Sequence, residues 1–213
     1  MLPLEIPLFP LPNVVLFPAA FLPLHIFEHR YRAMVADALT SERLIGIVLL
    51  RPGWESDYEG RPAVYPIGCA GFITHDEPLE DGRYNIVLRG LEKFKILSEL
   101  PSAGSNRPYR VAQVEAMPEA APATDRDALR DQRLRLEKLI ARRLQRPTDD
   151  STIPPDMRDE DLVSALAQHL ALDPIEKQAL LERDGLLARC RSLVELIEMQ
   201  MLVTHVTITK IRH

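Results

Sequence analysis

A chain of 213 residues, 46% hydrophobic and 27% charged, is long enough for one large domain or two small ones and has the composition of an ordinary globular protein. Its net charge of −5 supplies no general pull toward nucleic acid or an anionic membrane. The two cysteines, Cys69 and Cys190, lie too far apart in sequence to suggest a framework, and read as reduced thiols rather than a disulfide.

The chain opens with prolines at 3, 7, 10, 12, 18 and 23, so no helix can run through residues 3 to 23. Leu8, Phe9, Val14 to Phe17, Phe21, Leu22 and Leu24 sit between them. This pattern predicts short extended segments joined by fixed turns, with Asn13 in one of them. The first Lys or Arg is Arg30 and Glu5 comes early. Neither a signal peptide nor a spanning helix fits, and a cytoplasmic, unprocessed chain is expected. After Pro23, the residues Phe27, Tyr31, Met34, Val35 and Leu39 are spaced for one helical face. Glu28 is expected to accept backbone N–H groups in that helix's first turn.

Residues 44 to 50 form an apolar run that predicts a buried strand, and residues 51 to 62 a surface loop rich in Gly and Pro. A second strand follows over 64 to 75, with Gly68 and Gly71 marking close approach. His75, Asp76 and Glu77 are expected in a solvated turn, with Asp81-Gly82 closing a hairpin. A long strand over 83 to 100 carries Gly90 as a bulge, and 109 to 117 is the last strand before a Pro/Ala linker.

From residue 124 the composition turns helical. A Thr124-x-x-Asp127 cap starts a helix to about Arg146, with Leu129, Leu136, Ile140 and Leu144 on one face. A helix around 159 to 172 follows, then one opened by Asp173-Pro174 with Glu176. A last helix after Asp184-Gly185 has Leu186, Cys190, Leu193, Val194, Ile197 and Met201 as its stripe. Residues 204 to 213 are left without an assignment. The fold class is therefore α+β: a β-rich part over 1–118 with one crossing helix, then an antiparallel helical bundle over 119–213.

The residues that carry a resemblance are Pro7 to Leu11, Val15 to Pro18, Leu22 to Leu24, Phe27, Glu28, Arg30 and Tyr31. In that order they are similar to the opening of the Lon-protease N-terminal domain family, the substrate-recognition module of ATP-dependent Lon proteases. His29 departs from it, since the family more often has proline there. IGCAGFI and VLRGLEKFKI are similar to two of the family's strands, and Lys177-Gln178 with the last helix resembles its end. The resemblance implies a small curved β-barrel of the pseudouridine-synthase-associated (PUA-like) type. It also implies a non-catalytic module without cofactor that binds unfolded or partly folded client proteins, with a protease as a further partner, and no nucleic acid or membrane. No G-x-x-x-x-G-K-[ST] occurs in these residues, so a recognition domain without its ATPase is expected.

Four constellations bear on chemistry. Pro101-Ser102-Ala103-Gly104 repeats the residues around the catalytic serine of Lon's protease domain, but lacks the preceding Lys-Asp-Gly and reads as a turn. His25-Ile26-Phe27-Glu28-His29 matches H-x-x-E-H, which on a helix would make a metal-dependent hydrolase using His25 and His29. Its closeness to Pro23 opposes this. The 125 to 146 helix holds eight Arg and Lys against four acids, an RNA-binding alternative weakened by the absence of interleaved aromatics. Finally, Phe17, Phe21, Trp54, Tyr58, Met199 and Met201 are apolar residues whose burial is not obvious from sequence. They are the candidate substrate-binding residues, with no catalytic or metal site expected.

Overall fold

The computed structural model describes residues 2–58, 60–101, 107–119, 126–143, 153–154 and 156–211, with side chains to Val203. The strands are β1 (Glu5–Leu11), β2 (Phe21–Ile26), β3 (Leu44–Leu49), β4 (Ile67–Pro78), β5 (Tyr84–Glu99) and β6 (Arg110–Met117). The helices are α1 (His29–Leu39), α2 (Arg126–Arg143), α3 (Asp159–His169), α4 (Pro174–Leu181) and α5 (Gly185–Ile211). The chain divides into two compact units, one of residues 1–118 with 164–182 and the other of 119–163 with 183–213.

The first unit is built on one mixed sheet in the order β2-β5-β4-β3-β1-β6. The β1–β3 pair is parallel and the other pairs antiparallel. At sixteen residues β5 pairs with β4, β2 and β6. Strands β5, β4, β3, β1 and β6 thus form a closed run, leaving β2 on the open edge. Ile6, Leu8, Val48, Ala70, Phe94, Ala112 and Val114 fill a core inside it. The continuous apolar run Leu44–Leu49 is buried throughout, as expected of a central strand.

The proline-rich entry behaves as its chemistry requires. Chain reversal between β1 and β2 is completed at Ala19, whose φ of 63° is left-handed. Ala19 N–H donates to the Gly90 carbonyl and Gly90 N–H to the Ala20 carbonyl, both at 2.8 Å. A Cβ on Gly90 would stand 2.0 Å from the Phe17 carbonyl oxygen, so only glycine admits this crossing. The register of β4 against β5 also shifts here, where Gly71 opposes Gly90 and Ala70 opposes Glu92. Gly90 therefore sits at the bulge and at a close approach together. Gly68 is the second such place, its Cβ position lying 2.5 Å from the Ile47 carbonyl oxygen. Pro23 occupies the middle of β2, on the sheet edge, where a residue without N–H is tolerated.

Helix α1 starts later than the spacing suggested. Tyr31, Met34, Val35 and Ala38 are its buried face, whereas Phe27 precedes it and is 62% exposed. His75, Asp76 and Glu77 lie in β4, not in a turn, with Arg43 donating to Asp76 at 2.6 Å. Beyond them the chain turns at Gly82, φ 79°.

Residues 164–182 group with the sheet rather than with the other helices, a difference from the helical subdomain expected over 119–213. Buried polar contacts explain it. Gln168 Oε1 accepts the Phe17 N–H at 3.2 Å, and Gln178 Nε2 donates to the Ile67 carbonyl at 2.9 Å. Helix α4 opens with the expected capping box of Asp173 and Glu176.

In the second unit α2 packs on α5. Glu119 pairs with Arg189, Arg135 with Glu198, and Arg143 with Gln200. Of these, Arg135 and Arg143 lie on α2 and reach Glu198 and Gln200 of α5, while Glu119 precedes α2 and reaches Arg189 near the start of α5. Antiparallel packing follows from short connections between neighbours; here α3 and α4 intervene between the two helices. Leu136 and Leu139 of α2 and Cys190, Leu193, Val194 and Ile197 of α5 are buried. Helix α5 continues to Ile211, covering most of the segment left unassigned from sequence. The Thr124-x-x-Asp127 cap, Leu144 and the linker over 120–125 lie outside or partly outside the described residues. Both cysteines are buried and outside any disulfide, one in each unit.

Candidate recognition surface

The six candidate residues are divided between the two units and differ in exposure. Phe17 is fully buried, and its place in the core removes it from any surface contact. Phe21, four residues on, is 52% exposed at the start of β2. Trp54 and Tyr58 are half-buried and in edge-to-face contact, ring centroids 5.5 Å apart. Met199 is 65% exposed on α5, and Met201 half-buried. Phe21, Trp54 and Tyr58 belong to the first unit, and the two methionines to the second.

The loop carrying Trp54 and Tyr58 is held by the residues just after β2. A 3-10 turn over Trp54–Asp57 follows Gly53, whose φ of 91° turns the chain. Tyr58 Oη donates to Glu28 Oε1 at 2.7 Å, and Arg30 Nε donates to Glu28 Oε2 at 3.0 Å. The Arg30 guanidinium lies 4.7 Å from the Tyr31 ring centroid and 4.9 Å from that of Tyr58, between the two rings. Tyr31 in turn packs on Phe9, centroids 4.2 Å apart. Glu28 makes no side-chain cap hydrogen bond. The expected helix cap is therefore replaced by a longer-range task, since both carboxylate oxygens are taken by Tyr58 and Arg30. Burial, reinforced by the Glu28 carboxylate, pushes the Tyr58 phenol up, and burial pushes Tyr31 up further. For Arg30, burial works against the charge, but Tyr31 and Glu28 outweigh it and raise its pKa. All three groups thus keep their neutral-pH forms. Sequence reasoning singled out Glu28, Arg30, Tyr31 and Tyr58 separately and missed their junction, because nothing local links residue 28 to residue 58.

The outward face at the sheet edge is read from the strand register. Phe21 opposes Arg89, which opposes Phe72; Pro23 opposes Val87, which opposes His75; His25 opposes Asn85, which opposes Glu77. Phe21, Pro23, His25, Arg89, His75 and Glu77 are exposed, while Leu22, Ile26, Ile73 and Leu88 on the other face are buried. The row at His25 is polar and closed on itself. His25 Nδ1 and Asn85 Oδ1 are 2.8 Å apart, and Asn85 Nδ2 donates to Glu77 Oε2 at 2.8 Å.

A cleft of about 510 Å³ opens elsewhere in the first unit, lined among others by Glu5, Ile6, Asp37, Ser41, Arg107 and Tyr109. Tyr109 Oη donates to Asp37 Oδ2 across it at 2.5 Å. Burial and that carboxylate push the Tyr109 phenol up to about 12. Leu134, Leu202 and Val203 join Met199 as exposed apolar residues of the second unit.

The other constellations find no supporting geometry. His25 lies in β2 and His29 is the first residue of α1, so the two are not an i, i+4 pair on one helix. Among the described residues no group of three His, Cys, Asp or Glu could hold a metal ion. Three of the basic residues of α2 are engaged: Arg133 donates to the Met157 carbonyl, Asp159 and Glu137, Arg135 to Glu198, and Arg143 to Gln200. Residues Ser102 to Gly104 lie outside the described residues. No described helix is long and apolar enough to cross a membrane.

Comparison with known proteins agrees with this architecture. A Lon protease 2 from Syntrophobacter fumaroxidans is 33% identical over 193 residues, 85% of this chain and 22% of that protein. A Lon protease 2 from Myxococcus xanthus is 26% identical over 201 residues, 92% of this chain and 24% of its own length. The chain thus spans about a quarter or less of these relatives. The N-terminal domain of a Mycobacterium avium complex Lon protease has the same fold. It aligns with a TM-score of 0.65 at 19% identity, covering 91% of this chain and 98% of that one. A Lon N-terminal domain protein from Xanthomonas campestris aligns with a TM-score of 0.59 at 23% identity, covering 90% and 97%. The family model of the ATP-dependent protease La (LON) substrate-binding domain matches residues 5–199, and the chain belongs to that family.

Proposed function

We propose that this protein is a non-catalytic recognition module that binds exposed apolar segments of unfolded or partly folded client proteins. It would act in the cytoplasm, with an ATP-dependent protease as the partner that receives the clients. We read the closed run of β5, β4, β3, β1 and β6 as the curved barrel that the resemblance implied. The observation that carries the reading is an edge strand that, with the residue just after it, turns large apolar groups to solvent: Phe21 at the start of β2 is 52% and Phe27 past its end 62% exposed, in a chain of the substrate-binding family. Apolar groups shown this way, beside a rigid sheet, suit side-chain contacts with an unfolded segment better than they suit self-burial. Trp54 and Tyr58 are the second contact in this reading, because their loop is fixed by Glu28 and Arg30 and costs little order on binding. Met199 and Met201 are a third, adaptable contact.

The test is direct binding of one model client in its permanently unfolded, reduced and alkylated form and in its native form. Titration by fluorescence anisotropy is expected to show micromolar binding of the unfolded form alone. Trp54→Ala with Tyr58→Ala should weaken it. Equal affinity for both forms, or none for the unfolded one, would sink the proposal.

A further inference from the structure

We infer that the outward face of β2 and β5 takes an extended segment of a client in which an apolar residue stands next to an aspartate or glutamate. This rests on the recognition reading above and names the chemistry of the segment recognised.

The face is a small grid. One end row is Phe21, Arg89 and Phe72; the middle row is Pro23, Val87 and His75; the other end is the His25, Asn85 and Glu77 row. Asn85 and Arg89 are four residues apart, so the grid is about 13 Å long at the rise of a strand, the length of a four- to five-residue extended peptide. Its polar end is already satisfied, because Asn85 bonds both His25 and Glu77. Its apolar end is not. Phe21 is 52% exposed, and Leu91, just past Arg89, is 45% exposed.

Arg89 is the discriminating group. Most other arginines of this unit are committed: Arg30 to Glu28, Arg43 to Asp76, Arg61 and Arg110 to Glu99, and Arg83 to Asp81. Arg89 is exposed and, among the described residues, has no carboxylate, carbonyl or ring partner for its guanidinium. It stands between Phe21 and Phe72, flanked by apolar groups that lower the local dielectric and strengthen whatever ion pair it makes. A guanidinium there offers a planar, two-pronged donor set that fits a carboxylate. A lysine in the same position of the segment would be repelled. The complement of this face is therefore an apolar residue seated on Phe21 with an acidic neighbour over Arg89.

The test uses the full chain and three labelled peptides of one length. Each has a central Leu-Phe pair, flanked in turn by Asp, Ser or Lys. Anisotropy is expected to rank them Asp, Ser, Lys, with about a fivefold gap between the first and last at low salt, the size of an exposed ion pair. Arg89→Glu should invert the order, and high salt should flatten it. Phe21→Ser should weaken all three about tenfold. Both side chains are exposed, so both variants should melt with the parent protein. Equal affinity for the three peptides, unchanged in Arg89→Glu, would overturn the acidic preference while leaving apolar recognition in place. Binding of the three peptides that survives Phe21→Ser would move the site elsewhere. No binding of any of them would take down both readings. A concentration-dependent dimer that Phe21→Ser abolishes, seen by sedimentation, would give the face to a second copy of the chain and overturn the proposal.

Discussion

The segment Val14–Ala20 and the segment Phe21–Phe27 are adjacent, alike in composition and opposite in fate. In the first, Val15, Leu16 and Phe17 are buried and Phe17 sees no solvent; in the second, Phe21 and Phe27 are more than half exposed. Burial of a phenylalanine contributes roughly 1.5–3 kcal/mol, so leaving two of them in water forgoes a good part of a domain's stability. The difference arises from backbone geometry rather than side-chain chemistry. The left-handed Ala19 and the two hydrogen bonds that Ala19 and Ala20 make with Gly90 end the first segment, and a regular two-residue alternation governs the second. The first segment serves the fold, and the second sits where the fold can show it.

The contrast can be broken most forcefully at the two phenylalanines. Phe17→Ala is expected to cost about 3–5 kcal/mol through an unfilled cavity, while Phe21→Ala should stay within about 0.5 kcal/mol of the parent. Urea unfolding of both variants checks it, and similar costs would mean that the two residues are not in different environments. Gly90→Ala comes next. Its methyl group would press on the Phe17 carbonyl, and a loss of about 1–3 kcal/mol is expected from the forced shift. The same melts apply, and an unchanged midpoint would remove Gly90 from the reversal.

The far end of the second segment is sharpened by Tyr58→Phe, which deletes the hydrogen bond to Glu28 and should cost about 1 kcal/mol. The protein has one tryptophan, so the emission of Trp54 reports this loop directly. The Tyr58 phenol is raised in the folded state by burial and by Glu28. A raised folded value gives stability that is complete below the unfolded value near 10 and is lost as pH rises through the folded one. Trp54 emission should therefore change above about pH 10, and Tyr58→Phe should remove that part of the change. An emission profile identical in the two proteins would mean that Tyr58 does not hold the loop. The smallest effect expected is Ala19→Gly. Relief of the left-handed φ is offset by the greater freedom of unfolded glycine, leaving a gain below about 0.5 kcal/mol. A clear loss would show that the methyl group packs in a way the backbone angle does not reveal.

These residues also show how far a sequence can be read. The proline spacing excluded a helix over 3 to 23, the apolar run over 44 to 50 marked a buried strand, and Asp173 with Glu176 announced a helix start, because each signal is local. Phe17 and Phe21 could not be told apart, since both alternate with prolines and only the crossing at Gly90 separates them. Glu28 was given a helix cap because carboxylates near helix starts commonly serve as one; its real partner lies thirty residues away. The direction of α2 against α5 is not legible in the sequence, because apolar periodicity defines a face without saying which way the neighbour runs. Gln168 and Gln178 gave no signal at all, although their amides tie residues 164–182 to the sheet.

Pro23 bears on what such a surface costs the cell. A strand that displays phenylalanines at the margin of a sheet is an invitation to stack with its own kind, and unfolded clients are rich in segments ready to do so. The Ala20 carbonyl bonds to β5, so alternation turns the backbone of Phe21, Pro23 and His25 toward the open margin. The ring nitrogen of Pro23 interrupts that margin at its centre, and a ladder cannot propagate across it. On the proposed reading, the strand would hold a sticky segment by its side chains without becoming the seed of a fibril.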